Sequence, residues 1–134
     1  MQYLTGIHAL NLVCSLDTPG DWHRSALAWE DLIWQNSEDS LFGDYGIEKC
    51  DCVPNYRGIC FVANHIRALL DLLVIGNFFM AQGMRDELID NSKYTLDIFD
   101  KVSLLVELRH WDEIDIFMEK EYMMQWINYK LNKR

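Results

Sequence analysis

The chain has 134 residues, half of them apolar and 13% aromatic, which suits one folded domain with a real core and excludes a disordered tail. It carries 21 acidic against 12 basic residues, a net charge of −9. That balance repels phosphate backbones and disfavours direct nucleic-acid binding, while suiting a basic protein partner.

The opening stretch MQYLTGIHALNLV lacks a basic start and a small-residue cleavage site, so no signal peptide is expected. The longest apolar run, Ala68–Ile75, is broken by Asp71 and is too short to span a bilayer. A soluble, cytoplasmic protein is expected, whose four cysteines at 14, 50, 52 and 60 stay reduced. Spacing in residues 1–13 predicts a short helix begun near Thr5 as N-cap, then an extended segment.

Asp17-Thr18-Pro19-Gly20-Asp21 is the clearest turn: proline fixes φ, glycine admits a left-handed residue and aspartate can bond nearby backbone. Asp21 then predicts an N-cap for a short helix over Trp22–Leu27, with Trp22 plugging the core. A strand through Leu27, Trp29, Asp31 and Ile33 fits the alternation that follows. Residues 35–58 are loop-rich, with room for one or two short strands.

From Ile59 the chain reads as helical. Val62, Ala63, Ile66, Leu69, Leu70 and Leu73 make a buried stripe, and Gly76-Asn77 a C-terminal stop. Asn64, Arg67 and Asp71 fall on the opposite face, Arg67 and Asp71 as an i,i+4 pair. Met84–Ile89 reads as one further helical turn, and Asp90-Asn91-Ser92 as the cap of the next helix. Trp111–Lys133 reads as one last helix, acidic at its start and basic at its end through Lys130, Lys133 and Arg134. The predicted fold is mainly α (α+β): a single domain, 1–134, in which an irregular part, 1–58, packs on a helical part, 59–134, forming a bundle of three to four helices.

Asp21 and His23 are the catalytic candidates, a carboxylate beside an imidazole as acid/base or metal chemistry requires, although no nucleophile motif accompanies them. Cys50, Cys52, Cys60 and His65 fall within one short span, but their spacing lacks the paired C-x2-C knuckles of structural zinc sites. Neither a metal nor another cofactor is therefore expected. His65 reads as a solvated or capping residue. Asp112, Glu113, Asp115 and Trp126, on a last helix whose apolar residues nearly encircle it, are the candidates for binding a partner.

The runs Leu4-Thr5-Gly6-Ile7-His8-Ala9-Leu10-Asn11-Leu12, Gly20-Asp21-Trp22-His23, Phe42-Gly43-Asp44-Tyr45-Gly46-Ile47 and Ala63-Asn64-His65-Ile66-Arg67-Ala68-Leu69-Leu70-Asp71 resemble a family of small uncharacterised bacterial proteins associated with mobile elements and toxin–antitoxin-like gene pairs. The resemblance implies an accessory or antitoxin-like role and carries over no functional residue. The balance favours a non-enzymatic, acidic interaction protein binding a basic partner, such as the product of an adjacent gene. A small hydrolase or nuclease using Asp21 and His23 is one alternative. A nucleic-acid-mimicking inhibitor of a nuclease is the other.

Overall fold

The structure, a computed structural model, describes residues 1–133; Arg134, the last of the three terminal cations, lies outside the described residues. It is an α+β protein. The short strands β1 (Gln2–Leu4), β2 (Trp34–Asn36), β3 (Ile47–Cys50) and β4 (Cys60–Ala63) form one sheet in the order β2-β1-β4-β3. β1 pairs antiparallel with β2 and parallel with β4, while β3 and β4 are antiparallel. The helices are α1 (Ile7–Leu10), α2 (His65–Ile75), α3 (Phe78–Ala81), α4 (Thr95–Val102), α5 (Trp111–Tyr122) and α6 (Met124–Asn132), with a π-helical turn at Met84–Ile89.

Several local expectations are corrected. The N-terminal segment is strand first and helix second: Gly6 occupies the cap position of α1, and the Thr5 hydroxyl turns instead to Asp71. Residues 60–63 are a strand, not the first turn of α2, which starts only after Asn64. The Asn64 side chain caps that helix at the Arg67 amide, 2.8 Å away, and Gly76 ends it in the left-handed conformation. Because β4 bonds to both β1 and β3, the sheet runs across the boundary between 1–58 and 59–134.

The largest correction concerns Arg67 and Asp71, which are buried on the core side of α2. Arg67 Nε donates to Asp71 Oδ1 at 3.1 Å, Nη1 to the carbonyls of Gly43 and Tyr45 at 2.8 and 2.5 Å, and Nη2 to the Tyr3 hydroxyl at 2.9 Å. The other oxygen of Asp71 accepts from Tyr3 and Thr5, each at 2.7 Å. The guanidinium also lies 4.8 Å from the Tyr3 ring centroid and 5.4 Å from that of Phe42. Burial, then the hydrogen bond to Asp71, pushes the Tyr3 hydroxyl far above its usual range, so it stays a donor. Gly46 is required here: at φ 72 a Cβ would stand 2.7 Å from Arg67 Cβ and 2.9 Å from Asn64 Oδ1.

The last helix is broken. Met123, at φ 52 and ψ −128, separates α5 from α6 and turns the chain back. In one straight helix Asp115 and Trp126 would be about 16 Å apart along the axis. Here Trp126 Nε1 donates to Asp115 at 2.7 Å, as does Lys130 Nζ. Phe99 of α4 packs edge-on against Tyr122 and Trp126, closing an aromatic cluster between the three helices.

The Arg67 arrangement predicts a large, partner-dependent loss on mutation. Arg67→Met should lower unfolding free energy in urea by about 3–5 kcal/mol, because Asp71 is left buried without its cation. Adding Asp71→Leu should restore part of that loss; a double variant less stable than the single one would refute the account.

Candidate functional site

The turn at Thr18–His23 lies over the end of α1 and the first residue of α2. Gly20, at φ 64, is held by its amide to the Leu88 carbonyl at 2.9 Å. A Cβ there would meet the Leu10 carbonyl oxygen at 2.4 Å and the His65 ring at 2.7 Å, so the close approach excludes any side chain. The Asp21 amide donates to Leu10 O at 2.8 Å, and the His23 amide to Asn11 Oδ1 at 2.7 Å.

Asp21 caps no helix. Residues 24–27 form turns, and no strand runs through 27–33; the extended residues are 34–36. Trp22 is not in the core but 77% exposed, stacked on the His23 ring with centroids 5.9 Å apart and planes 4° from parallel. The structure does bring the two catalytic candidates together, with His23 Nδ1 against Asp21 Oδ1. The carboxylate orients an imidazole whose other edge faces water, an arrangement able to move a proton. The described hydrogen bonds join His23 only to Asp21, Asn11 and the nearby backbone, so no nucleophile is in hand.

His65, expected as a solvated or capping residue, is buried beneath this turn. Its Nε2 donates to the Leu12 carbonyl at 2.6 Å, and its Nδ1 meets the Thr18 hydroxyl at 2.5 Å. Cys14 Sγ stands 3.8 Å from the same hydroxyl. Burial pushes the Cys14 thiol up, but the neighbouring His65 imidazole outweighs it and holds the thiol below its usual range. For His65 burial acts downward, and the neighbouring Cys14 outweighs it and raises the imidazole. A cavity of about 190 Å³ adjoins the group, lined by Asn11, Leu12, Thr18, Trp22, Arg24 and His65. Sequence reasoning missed this group because Cys14 and Thr18 sit in irregular chain, where no periodicity aligns them with a residue 47 positions beyond Thr18.

With both ring nitrogens engaged there, His65 does not join the other cysteines. Cys50 and Cys52 touch, Sγ to Sγ 3.5 Å, and Cys60 lies opposite Cys50 in the β3–β4 register. Among the described residues no group of three or more His, Cys, Asp or Glu is placed to hold a metal ion.

The partner-binding candidates divide. Asp112 and Glu113 are exposed at the start of α5 and form no ion pair with any described residue. Asp115 is committed to Trp126 and Lys130. Trp126 is 0% exposed, so it presents no surface to a partner, which corrects its assignment. No helix of the described residues is long and apolar enough to cross a membrane.

Comparison of the chain with protein-family models, curated proteins and solved structures gives no match in any of the three.

The Cys14–Thr18–His65 group has a pH signature. A thiol lowered by folding contributes stability above its unfolded value, and that contribution fades as pH falls through the folded one. Iodoacetamide alkylation of Cys14, followed by peptide mass, should reach half its maximal rate below the ordinary thiol value of about 8.5. His65→Gln should move the midpoint upward; an unmoved midpoint would mean His65 does not govern the thiol.

Proposed function

We propose that the protein is a non-enzymatic acidic interaction module, antitoxin-like or regulatory, that acts in the cytoplasm on a basic protein partner such as the product of an adjacent gene. The observation that carries this reading is the outer face of α5. Asp112 and Glu113 are exposed and unpaired with any described residue, and exposed Ile116 and Glu119 extend the same face through the next turns. Uncompensated carboxylates beside an apolar side chain suit a segment that offers lysine or arginine together with apolar contact. In this reading the C-terminal helices serve as a bundle that holds the face rigid, with Asp115 and Trp126 working inside it. Co-purification with the adjacent gene product tests the proposal. The double reversal Asp112→Lys/Glu113→Lys should weaken binding at least tenfold, about 1.4 kcal/mol, with a loss that shrinks at high salt. Indifference to the reversal would overturn it. Competition between nucleic acid and this protein for a nuclease would favour the mimic instead.

A second reading rests on one specific observation, the imidazole of His23 oriented by Asp21 and open to water. It makes the protein a small hydrolase or nuclease, metal-dependent or not. A screen of ester, phosphoester and nucleic-acid substrates, with elemental analysis, should then find turnover that His23→Ala abolishes. Turnover indifferent to that substitution, or none at all, removes the reading.

A further inference from the structure

Cys50 closes β3, and Cys52 follows a bend at Asp51. Alternate residues of an extended chain project to the same side, and a bend between them shortens the span. Their sulfurs accordingly lie 3.5 Å apart, within reach of the disulfide length of about 2.05 Å after a small local shift. Cys52 is exposed and open to a small oxidant, Cys50 is half-buried against it, and Cys60 is buried across the strand pair. The 51–59 loop is tied to the 24–29 segment by Arg24 Nη2 on the Cys52 carbonyl at 3.4 Å and by Asn55 Nδ2 on the Trp29 carbonyl at 2.7 Å.

We propose that Cys50 and Cys52 form a reversible dithiol modification site, oxidised by a peroxide to an intramolecular disulfide that locks the bend at Asp51, where this loop leaves β3. The Cys52 thiolate attacks one peroxide oxygen; an S–O bond forms, the O–O bond breaks and hydroxide leaves. Cys50 Sγ then attacks Cys52 Sγ; the S–S bond forms, the S–O bond breaks, and the hydroxyl leaves with the Cys50 proton as water. In sum the two thiols lose two electrons and two protons, and hydrogen peroxide becomes two waters. Burial raises the Cys50 thiol, which suits the resolving role better than the attacking one. Among the described residues Cys14 Sγ is paired with the Thr18 hydroxyl rather than with a second thiol.

The chain itself makes the test clean, because trypsin cuts after Lys49 and Arg57 and places Cys50 and Cys52 on one peptide, with Cys60 on the next. The full chain is treated with hydrogen peroxide, alkylated with iodoacetamide, digested and weighed. The expected result is a Cys50–Arg57 peptide that loses two hydrogen atoms and both alkylation sites, and regains them after dithiothreitol. In Cys52→Ser, Cys50 should stay fully alkylatable after peroxide. A Cys50–Cys60 link joining the two peptides, a link between chains, oxygen addition at Cys52 with Cys50 still alkylatable, or both thiols left unchanged would each overturn the proposal.

Discussion

A guanidinium taken out of water costs several kcal/mol unless its donors are matched, and Arg67 is matched from three directions at once. Asp71 lies one helical turn along α2, Tyr3 comes from the central strand β1, and the carbonyls of Gly43 and Tyr45 come from the loop before β3. The sheet's strands are three or four residues long and could not hold that loop by ladder bonds alone. Tyr3 and Asp71 share a proton donor and acceptor scheme that works only with the cation present. The loop at 43–45 therefore has a fixed place because one charge on a helix binds its backbone.

That dependence explains which parts of the fold were legible in the residues. Gly76 and Asn91 act through local chemistry, a left-handed stop and a side-chain cap, and both are found where such chemistry places them. Arg67 and Asp71 take the buried face although i,i+4 spacing is identical for a solvated pair and a buried one; partners distant in sequence, such as the tyrosine sixty-four positions upstream, tell them apart. Val62 and Ala63 continue the helical stripe of α2 in pattern, yet belong to β4, since a short apolar run carries no period of its own. The reversal at Met123 has no glycine, proline or asparagine to announce it. It is imposed by what it permits, the packing of Trp126 against Phe99 with its indole nitrogen on Asp115.

The candidate sites sort in the same way, by hydrogen-bonding capacity left over after folding. His65 spends both ring nitrogens inside the protein, and Asp115 spends one oxygen on two donors. His23, Trp22, Asp112 and Glu113 keep faces toward water. Residue type alone marks Asp21 as a catalytic candidate, His65 as solvated or capping, and Asp115 as a partner contact. Their neighbours separate a structural imidazole from an available one, and a structural carboxylate from a free one. The Thr18–His23 turn holds both kinds within hydrogen-bond reach, because Gly20 lets it settle onto the ring of His65 while Trp22 and His23 stay outside.

The reversal at Met123 also bears on the order in which the chain can assemble. Asp115 meets partners 11 and 15 residues later, whereas β1 must wait for β4, with Leu4 opposite Val62. Loop closure costs more as the loop lengthens, and contacts distant in sequence form more slowly than near ones. The α5–α6 hairpin is thus a unit able to close on itself early. By sequence separation the parallel pairing of the first strand, which brings Tyr3 to the cation on α2, is the costlier loop to close.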